Sequence, residues 1–316
     1  MGEKELVTIF GATGLLGGAI FRSLDKDKYE ISCPSRKGDF DLLCSELVDD
    51  YFKNNKPKYV YMVAGLVGGI KINSERGADF LYQNSMMILN VLESVRRFSP
   101  NSKILYAGST CIYPKENPQP INEDRFLAGK LEDTNKGYAL AKILGITACE
   151  LYREQYGIES VCVMPTNLYG PGDNYDLNSG HFLASVISKM YNAKVNCKKL
   201  EFWGTGNPRR EALFSEDCAS ACIYLCENYS GDEMINIGTG FDNSIKEYIE
   251  LTSKVLGVDS SNISWDLSKP DGTFEKRTDI TRLLNIMPNF KPRSFEDGVK
   301  KVLEKDFNYK VNLNKN

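Results

Sequence analysis

A glycine-rich turn near the start of the chain constrains the fold more than any other feature of the sequence. It follows an apolar, strand-like run that ends at Phe10, and a helical pattern begins within it. Glycines at this spacing let the backbone turn tightly and approach a pyrophosphate, which the N–H groups and dipole of the following helix attract. The order of strand, turn and helix predicts dinucleotide binding. The residues expected to bind are Gly11, Ala12, Thr13, Gly14, Leu15, Leu16 and Gly17.

The rest of the first half alternates short apolar runs with longer amphipathic stretches. We predict strands at Leu6–Phe10, Tyr29–Cys33, Tyr59–Val63, Lys103–Ala107 and Ser160–Val163, and helices that include Phe80–Phe98 and Tyr138–Tyr156. Strands this apolar need both faces covered, which favours a parallel sheet with right-handed crossovers. The predicted fold class is α/β, a Rossmann-type doubly wound parallel sheet with a smaller, discontinuous C-terminal α/β domain.

The expected domain boundary follows a change in residue composition near Pro171, where Asn, Gly and Asp cluster. A later unit of helix and strand, Ser215–Glu227 and Met234–Ile237, resembles a return to the first sheet. We therefore expect residues 1–172 and 212–240 to form the nucleotide-binding domain, and residues 173–211 and 241–316 to form the substrate domain.

Composition excludes several classes of function. The 316 residues contain one histidine and nine cysteines and carry a formal net charge of −3. A zinc site built on several histidines is impossible, and the charge does not favour a nucleic acid or a membrane surface as partner. An odd number of cysteines without a C-x-x-C pair argues against a disulfide framework, and the charged start argues against a secretory leader. These features favour a cytoplasmic protein without a metal.

The end of the second predicted strand indicates which dinucleotide binds. A NAD-selective site places a carboxylate there for the ribose hydroxyls, whereas a 2′-phosphate needs cationic donors. The sequence instead has Arg36 and Lys37, so NADPH is the expected cofactor. The alternative is that these two residues are only a solvated basic turn.

Tyr138 and Lys142 stand four residues apart near the start of a predicted helix, which places the phenol and the ammonium on one face. A nearby ammonium favours ionisation of a phenol, whose ordinary pKa is about 10. Ser109 follows the fourth predicted strand, where open parallel sheets bind ligands. Because the three residues occur in one Rossmann-like chain in this order, they predict a redox site in which Tyr138 exchanges a proton with the substrate.

At these motifs the chain resembles the extended short-chain dehydrogenase/reductase family, and within it the GDP-L-fucose synthases. The resemblance covers nearly the whole chain. Its most specific segments are Ala78–Asn84, Gly108–Lys115, Val163–Pro171 and Ser268–Thr273. It implies NADPH-dependent epimerisation of GDP-4-keto-6-deoxy-D-mannose at carbons 3 and 5, followed by reduction of the 4-keto group. It also implies a homodimer, expected to form through the two long predicted helices.

The resemblance assigns roles to two further residues. It implies that Cys111 is the epimerisation base and that His181, the only histidine, is the acid. From the residues alone, a cysteine at a strand end is typical of packing, and a single histidine at a helix start is typical of a polar surface.

Other contacts are implied by the resemblance alone. The cofactor is expected to contact residues that follow the fourth and fifth strands, together with His181; these are Ala107, Gly108, Ser109, Thr110, Pro165, Thr166, Asn167 and Leu168. The nucleotide sugar is expected to contact Asn167, Lys189, Trp203, Arg210 and Asp271. The chain departs from the family at Thr13, where bacterial members often have arginine, so one adenosine-phosphate contact is in doubt. Lys189 stands where an arginine is expected to hold the substrate phosphate, and it keeps the charge without the bidentate geometry. The segment Arg210–Ser215 replaces the usual aromatic residue and histidine, which puts the local packing in doubt.

Two alternatives remain from the sequence. The same chemistry could act on another GDP-4-keto sugar, such as a 6-deoxy-heptose. From a different class, the chain could be a NADP sensor without catalytic activity, although Ser109, Tyr138 and Lys142 argue against this.

Overall fold

The computed structural model describes residues 4–176, 180–196, 200–259, 263–268 and 274–309, with the backbone alone for residues 70 and 71. In these ranges the strands are β1 (Glu5–Phe10), β2 (Tyr29–Ser32), β3 (Tyr59–Met62), β4 (Lys103–Ala107), β5 (Ser160–Pro165), β6 (Asn167–Tyr169), β7 (Leu200–Trp203), β8 (Arg209–Phe214), β9 (Ile235–Ile237), β10 (Asp242–Ser244), β11 (Ile263–Asp266) and β12 (Glu275–Lys276). The helices are α1 (Leu15–Ser23), α2 (Ser45–Asn54), α3 (Ile70–Glu75), α4 (Gly77–Phe98), α5 (Lys136–Tyr156), α6 (Phe182–Asn196), α7 (Ser215–Asn228), α8 (Ile245–Leu256), α9 (Thr281–Ile286) and α10 (Phe295–Asp306).

A six-stranded parallel sheet forms the first layer, in the order β2-β1-β3-β4-β5-β9. The five predicted strands and the returning unit of α7 and β9 are confirmed, and the α/β prediction with them. The helices α4 and α5 begin a few residues earlier than predicted, because their first turns are polar and lie outside the apolar pattern. The strand order reverses between β1 and β3, which opens a crevice at the carboxyl ends of these strands.

Helices cover both faces of this sheet. Residues of α1 and α7 pack on one face, and residues of α2, α4 and α5 pack on the other. Cys218, Cys222 and Cys226 point from α7 into the first of these cores and are fully buried. They serve as small apolar side chains, as their four-residue spacing predicted.

The remaining strands and helices form a second group of elements. β8 pairs with β10, β12 and β6, while β7 pairs with β11. Side chains of α6, α8 and α10 form the third apolar core with Tyr169 and Phe214. Leu283 and Phe290, although late in the chain, pack into the core of the parallel sheet.

Among the described residues, no helix combines the length and the apolar character that crossing a bilayer requires.

Candidate active site

The predicted glycine turn connects β1 to α1, and two of its glycines are required by close backbone contacts. Gly11 has φ of +95°, and a Cβ there would lie 2.7 Å from the Cα of Ala64. A Cβ on Gly17 would lie 2.1 Å from the carbonyl oxygen of Gly11. Gly14 precedes α1 without a side-chain cap, so no side chain of this residue competes for the first N–H groups of the helix. This cradle fits the pyrophosphate of a dinucleotide.

Arg36 and Lys37 lie in a short 3-10 turn after β2, and both are exposed. The guanidinium of Arg36 forms an ion pair with Asp41, with 3.2 Å between Nε and Oδ2. A 2′-phosphate next to this turn would compete with Asp41 for the same guanidinium. The position of the turn fits the predicted preference for a phosphorylated ribose.

The residues predicted to reduce a ketone lie together at the end of β4 and the start of α5. Lys142 is buried, and its Nζ donates a 2.6 Å hydrogen bond to the carbonyl of Ala107. Its ammonium lies 5.6 Å from the ring centre of Tyr138 and 4.9 Å from that of Tyr106. The loop after β4 places Ser109 beside Tyr138, and the hydroxyl of Ser109 accepts a 3.3 Å hydrogen bond from the N–H of Cys111.

The ionisation of Tyr138 differs from the sequence-based expectation. Burial raises the pKa of the phenol, the charge of Cys111 raises it further, and the hydrogen bond with Ser109 lowers it by less. The expectation of phenolate relied on Lys142 together with the charge of a bound cofactor, and in the protein without ligands burial dominates the pKa of Tyr138. Burial also lowers the pKa of Lys142 to about 8. Tyr138 consequently keeps its proton at neutral pH, which suits a proton donor.

Cys111 lies in a 3-10 turn that follows Ser109, and its side chain is buried. Burial raises the pKa of the thiol, while Lys276, the hydrogen bond with Ser109 and Lys142 lower it. The thiol therefore lies among two lysines, the serine hydroxyl and the phenol of Tyr138. Such surroundings allow a buried cysteine to act as a base once it ionises.

His181 immediately precedes α6, and its carbonyl accepts a 2.9 Å hydrogen bond from the N–H of Ser185. The residue is accessible to solvent, although enough protein surrounds the ring for desolvation to lower its pKa below 6.5. The structure brings Ser109, Cys111, Tyr138 and Lys142 together. His181 lies apart from them in the chain, at the start of α6.

The described residues expected to contact the nucleotide sugar lie on four elements. Asn167 begins β6, and its amide donates a 3.0 Å hydrogen bond to the carbonyl of Glu211. Lys189 on α6 donates a 3.2 Å hydrogen bond to the carbonyl of Glu201, and desolvation lowers its pKa. Trp203 ends β7 and is 65% exposed, and Arg210 lies on β8. Asp271 lies outside the described residues.

Sequence reasoning missed the role of Glu211, a fully buried carboxylate next to Arg210. Its Oε1 accepts from the N–H groups of Thr239 and Gly240, at 2.6 and 2.7 Å. Its Oε2 accepts from the N–H and hydroxyl of Thr278, at 2.9 and 2.6 Å. One carboxylate thus joins β8 to the segments that contain Thr239–Gly240 and Thr278. An acidic residue followed by the apolar run Ala212–Phe214 was the available signal for a buried charge on a strand.

Comparisons with known proteins agree with this geometry. A GDP-L-fucose synthase from Sinorhizobium fredii is 43% identical over 304 residues, which cover 96% of this chain and 95% of that protein. A GDP-L-fucose synthetase from Naegleria fowleri, in a crystal structure bound to NADP, has a TM-score of 0.89 at 26% identity and covers 98% of this chain and 95% of its own. A GDP-6-OMe-4-keto-L-xylo-heptose reductase from C. jejuni has a TM-score of 0.87 at 29% identity, with coverage of 96% and 98%.

These relatives confirm the resemblance seen in the motifs. The family model matches residues 7–238, which extend from β1 through β9. The chain therefore belongs to the NAD dependent epimerase/dehydratase family.

Proposed function

We propose that this protein is an NADPH-dependent epimerase and reductase that converts GDP-4-keto-6-deoxy-D-mannose to GDP-L-fucose. The observation that carries the proposal is the cluster of Ser109, Cys111, Tyr138 and Lys142 at the carboxyl end of β4. A reductase alone needs the serine, tyrosine and lysine. The thiol placed two residues after Ser109 adds the base that an epimerisation requires.

Epimerisation begins with the removal of a proton from a carbon next to the ketone. The 4-keto group acidifies the protons on carbons 3 and 5, because the resulting charge spreads onto the carbonyl oxygen. The thiolate of Cys111 removes the proton, and Ser109 and Tyr138 donate hydrogen bonds to the oxygen of the enolate. His181 then delivers a proton to the opposite face of the same carbon. Cys111 then releases its proton to solvent and His181 takes one up, so that a second cycle can invert the other centre.

Reduction follows at carbon 4. Bound NADPH supplies the hydride. Tyr138 gives its proton to the sugar oxygen, and the raised pKa of the buried phenol keeps that proton available beforehand. Lys142, held by the carbonyl of Ala107, places a positive charge under the phenol as this oxygen gains electrons. The hydroxyl of Ser109 orients the sugar oxygen next to the phenol of Tyr138.

The cofactor would lie on the glycine cradle of Gly11–Gly17, with its 2′-phosphate at Arg36 and Lys37. The residues Ala107–Thr110 and Pro165–Leu168 and His181 would border its nicotinamide end. Asn167, Lys189, Trp203, Arg210 and Asp271 would bind the nucleotide sugar. Residues 1–172 and 212–240 would form the cofactor domain, and residues 173–211 and 241–316 the substrate domain.

A second candidate substrate is a GDP-4-keto-heptose. The similarity to the C. jejuni heptose reductase favours it, because that relative matches the fold over nearly the whole chain. The catalytic cluster is the same for either sugar, since the chemistry at carbons 3, 4 and 5 does not involve the heptose extension. NMR of the products formed from both keto sugars distinguishes them.

A homodimer is the proposed assembly. We name the surface formed by α4 and α5 the α4–α5 surface, and its mostly apolar side chains are Leu81, Leu89, Leu140, Ile143, Leu144, Thr147, Ala148 and Leu151. Three of the leucines are more than a third exposed, although each belongs to a long helix packed on the core. A second copy of the same surface would bury them in a four-helix arrangement. We also propose a cytoplasmic location, because all eight described cysteines are free thiols.

The proposal is tested by the exchange of deuterium from solvent into the keto sugar. Wild-type protein should introduce deuterium at carbons 3 and 5 and oxidise NADPH. Cys111→Ser should lose the exchange and keep NADPH binding, and Cys44→Ser, a cysteine change away from the cluster, should retain both. Exchange at the normal rate in Cys111→Ser would refute the base assignment, and the absence of NADPH oxidation by wild type with either sugar would favour a sensor.

A further inference from the structure

Lys276 is a second lysine near the thiol of Cys111, and it reaches this place from the far end of the chain. It lies on β12, which pairs in parallel with β8 so that Lys276 stands opposite Arg210. Residues at paired positions of neighbouring strands point to the same face of a sheet. Lys276 therefore shares a face with Arg210.

The side chain of Gln119 holds the backbone of Lys276 on both sides. Its Nε2 donates a 3.2 Å hydrogen bond to the carbonyl of Glu275, and its Oε1 accepts a 2.9 Å hydrogen bond from the N–H of Arg277. The amide thus occupies the place of a neighbouring strand and satisfies the main-chain groups that flank Lys276. We name this pair of hydrogen bonds the Gln119 clamp.

Further hydrogen bonds join the loop that contains Gln119 to the residues that follow Lys276. Ile121 donates its N–H to the carbonyl of Arg277 at 2.8 Å, and its carbonyl accepts from the N–H of Asp279 at 2.8 Å. Thr278 is tied to the buried Glu211. Because Gln119 and Ile121 belong to the loop that follows Cys111, these contacts join β12 directly to the chain that carries the thiol.

The charges that face Lys276 come from three elements. Cys111 and Glu132 attract its ammonium, and Arg210 repels it. Burial lowers the pKa of Lys276, whereas a thiolate at Cys111 raises it. In turn, Lys276 is the strongest of the influences that lower the pKa of Cys111, ahead of Ser109 and Lys142. The thiolate of Cys111 and the ammonium of Lys276 therefore stabilise one another.

We propose that Lys276 is a positioning residue for the epimerisation base, held by the Gln119 clamp where its ammonium favours the thiolate of Cys111. The proposal rests on the role proposed above for Cys111. Ionisation releases the thiol proton to solvent, and the thiolate then takes a proton from the sugar carbon while the ammonium of Lys276 keeps its own. Lys142 acts on the thiol in the same direction, but its influence is smaller than that of Lys276.

Alkylation of the protein without ligands tests this directly. The rate at which iodoacetamide modifies Cys111 is followed from pH 6.5 to 9.5 by mass spectrometry of the peptide that contains it. Lys276→Gln should move the midpoint upward by about one pH unit, which slows modification about tenfold below the midpoint. Lys276→Arg should keep the wild-type midpoint, because the charge remains. The plateau rate at high pH reports access to the thiol separately.

Two further variants keep the test decisive. Lys115→Gln removes an exposed lysine that pairs with Glu132 at 3.2 Å, and it should leave the midpoint unchanged. Gln119→Ala leaves Lys276 in place but removes its clamp, and it should shift the midpoint in the same direction as Lys276→Gln by a smaller amount. Since the clamp variant retains every charge, it answers the question even if Lys276→Gln fails to fold.

The overturning result is an unchanged midpoint in both Lys276→Gln and Gln119→Ala, with folding verified by thermal unfolding. Loss of turnover in Lys276→Gln at an unchanged midpoint would mean that Lys276 serves the substrate instead of the thiol. Because alkylation uses neither sugar nor NADPH, its outcome does not depend on which keto sugar the protein accepts. Failure of the proposed function and failure of this inference are therefore separable.

Discussion

The ammonium of Lys142 donates a 2.6 Å hydrogen bond to the carbonyl of Ala107, and this contact joins α5 to the end of β4. Lys142 is only 4% exposed, and tyrosine rings lie on its other sides. A charge buried next to a neutral carbonyl is less stable than the same charge in water, and desolvation accordingly lowers the pKa of Lys142 to about 8. Lys142, which the proposed reduction requires, therefore lowers the free energy of unfolding at neutral pH.

We expect Lys142→Met to abolish reduction and to make the protein more stable at pH 7, by about 1–3 kcal/mol. The native pKa of about 8 lies below the ordinary value of 10.5, so between these values the unfolded chain binds more protons than the native protein. Wild-type stability therefore rises with pH in this window, and the advantage of the variant shrinks. Urea unfolding of both proteins at pH 7 and pH 9.5 measures the difference. A variant less stable than wild type at pH 7, or a gap that widens with pH, would contradict the burial argument.

The single histidine allows its ionisation to be observed without interference. Because desolvation lowers the pKa of His181, the imidazole signals should titrate with a midpoint below 6.5 in the protein without ligands. The acid form is lost as pH rises through that midpoint while the thiolate of Cys111 increases, because burial raises the pKa of the thiol above its usual range. The kcat/KM for epimerisation should therefore rise with pH below the His181 midpoint and level off above it. His181→Asn should lose this change of slope and lower deuterium exchange by about a hundredfold or more. An NMR midpoint above 6.5, or exchange at the wild-type rate in His181→Asn, would remove the acid role.

Arg36 should determine the choice between the two dinucleotides. Its guanidinium is exposed and paired with Asp41, so a 2′-phosphate can bind it without moving the backbone. Arg36→Ala should raise the KM for NADPH about tenfold or more and leave the KM for NADH nearly unchanged. Asp41→Asn is the matched control, because it removes the competing carboxylate and keeps the guanidinium, and its KM for NADPH should not rise. Equal effects of Arg36→Ala on both cofactors would show that the turn does not contact the phosphate.

The sequence predicted the features that depend on neighbouring residues. Local spacing predicts the glycine turn, and an apolar run predicts the strand at Tyr29–Cys33, which is observed as Tyr29–Ser32. The Gln119 clamp is different, because it joins residues 156 positions apart through one side-chain amide, and no local pattern marks either end. The ionisation of Tyr138 in the protein without ligands is not predictable from the sequence for a related reason. The spacing of Tyr138 and Lys142 reveals their proximity, but the extent of burial, which dominates the pKa, comes from the assembled fold.

The α4–α5 surface supplies the last prediction. Leu140, Leu144, Thr147 and Leu151 recur at intervals of three and four on α5, so they form one stripe, and Leu151 at its end is 54% exposed. If a second copy covers this stripe, the same leucines become buried in both protomers, because a two-fold interface repeats every contact. Leu151→Lys would then remove two buried leucines and introduce two charges, which should weaken the dimer about a hundredfold or more.

Sedimentation velocity across a range of micromolar concentrations measures this effect. Wild type should sediment as a dimer and Leu151→Lys as a monomer, while thermal unfolding should show that the variant remains folded, since the side chain is already half open to solvent in one copy. Val195→Lys on α6, a similarly exposed apolar residue outside the stripe at 56% exposure, should remain dimeric. A wild-type monomer, or a Leu151→Lys dimer of undiminished strength, would mean that two copies do not associate through this surface.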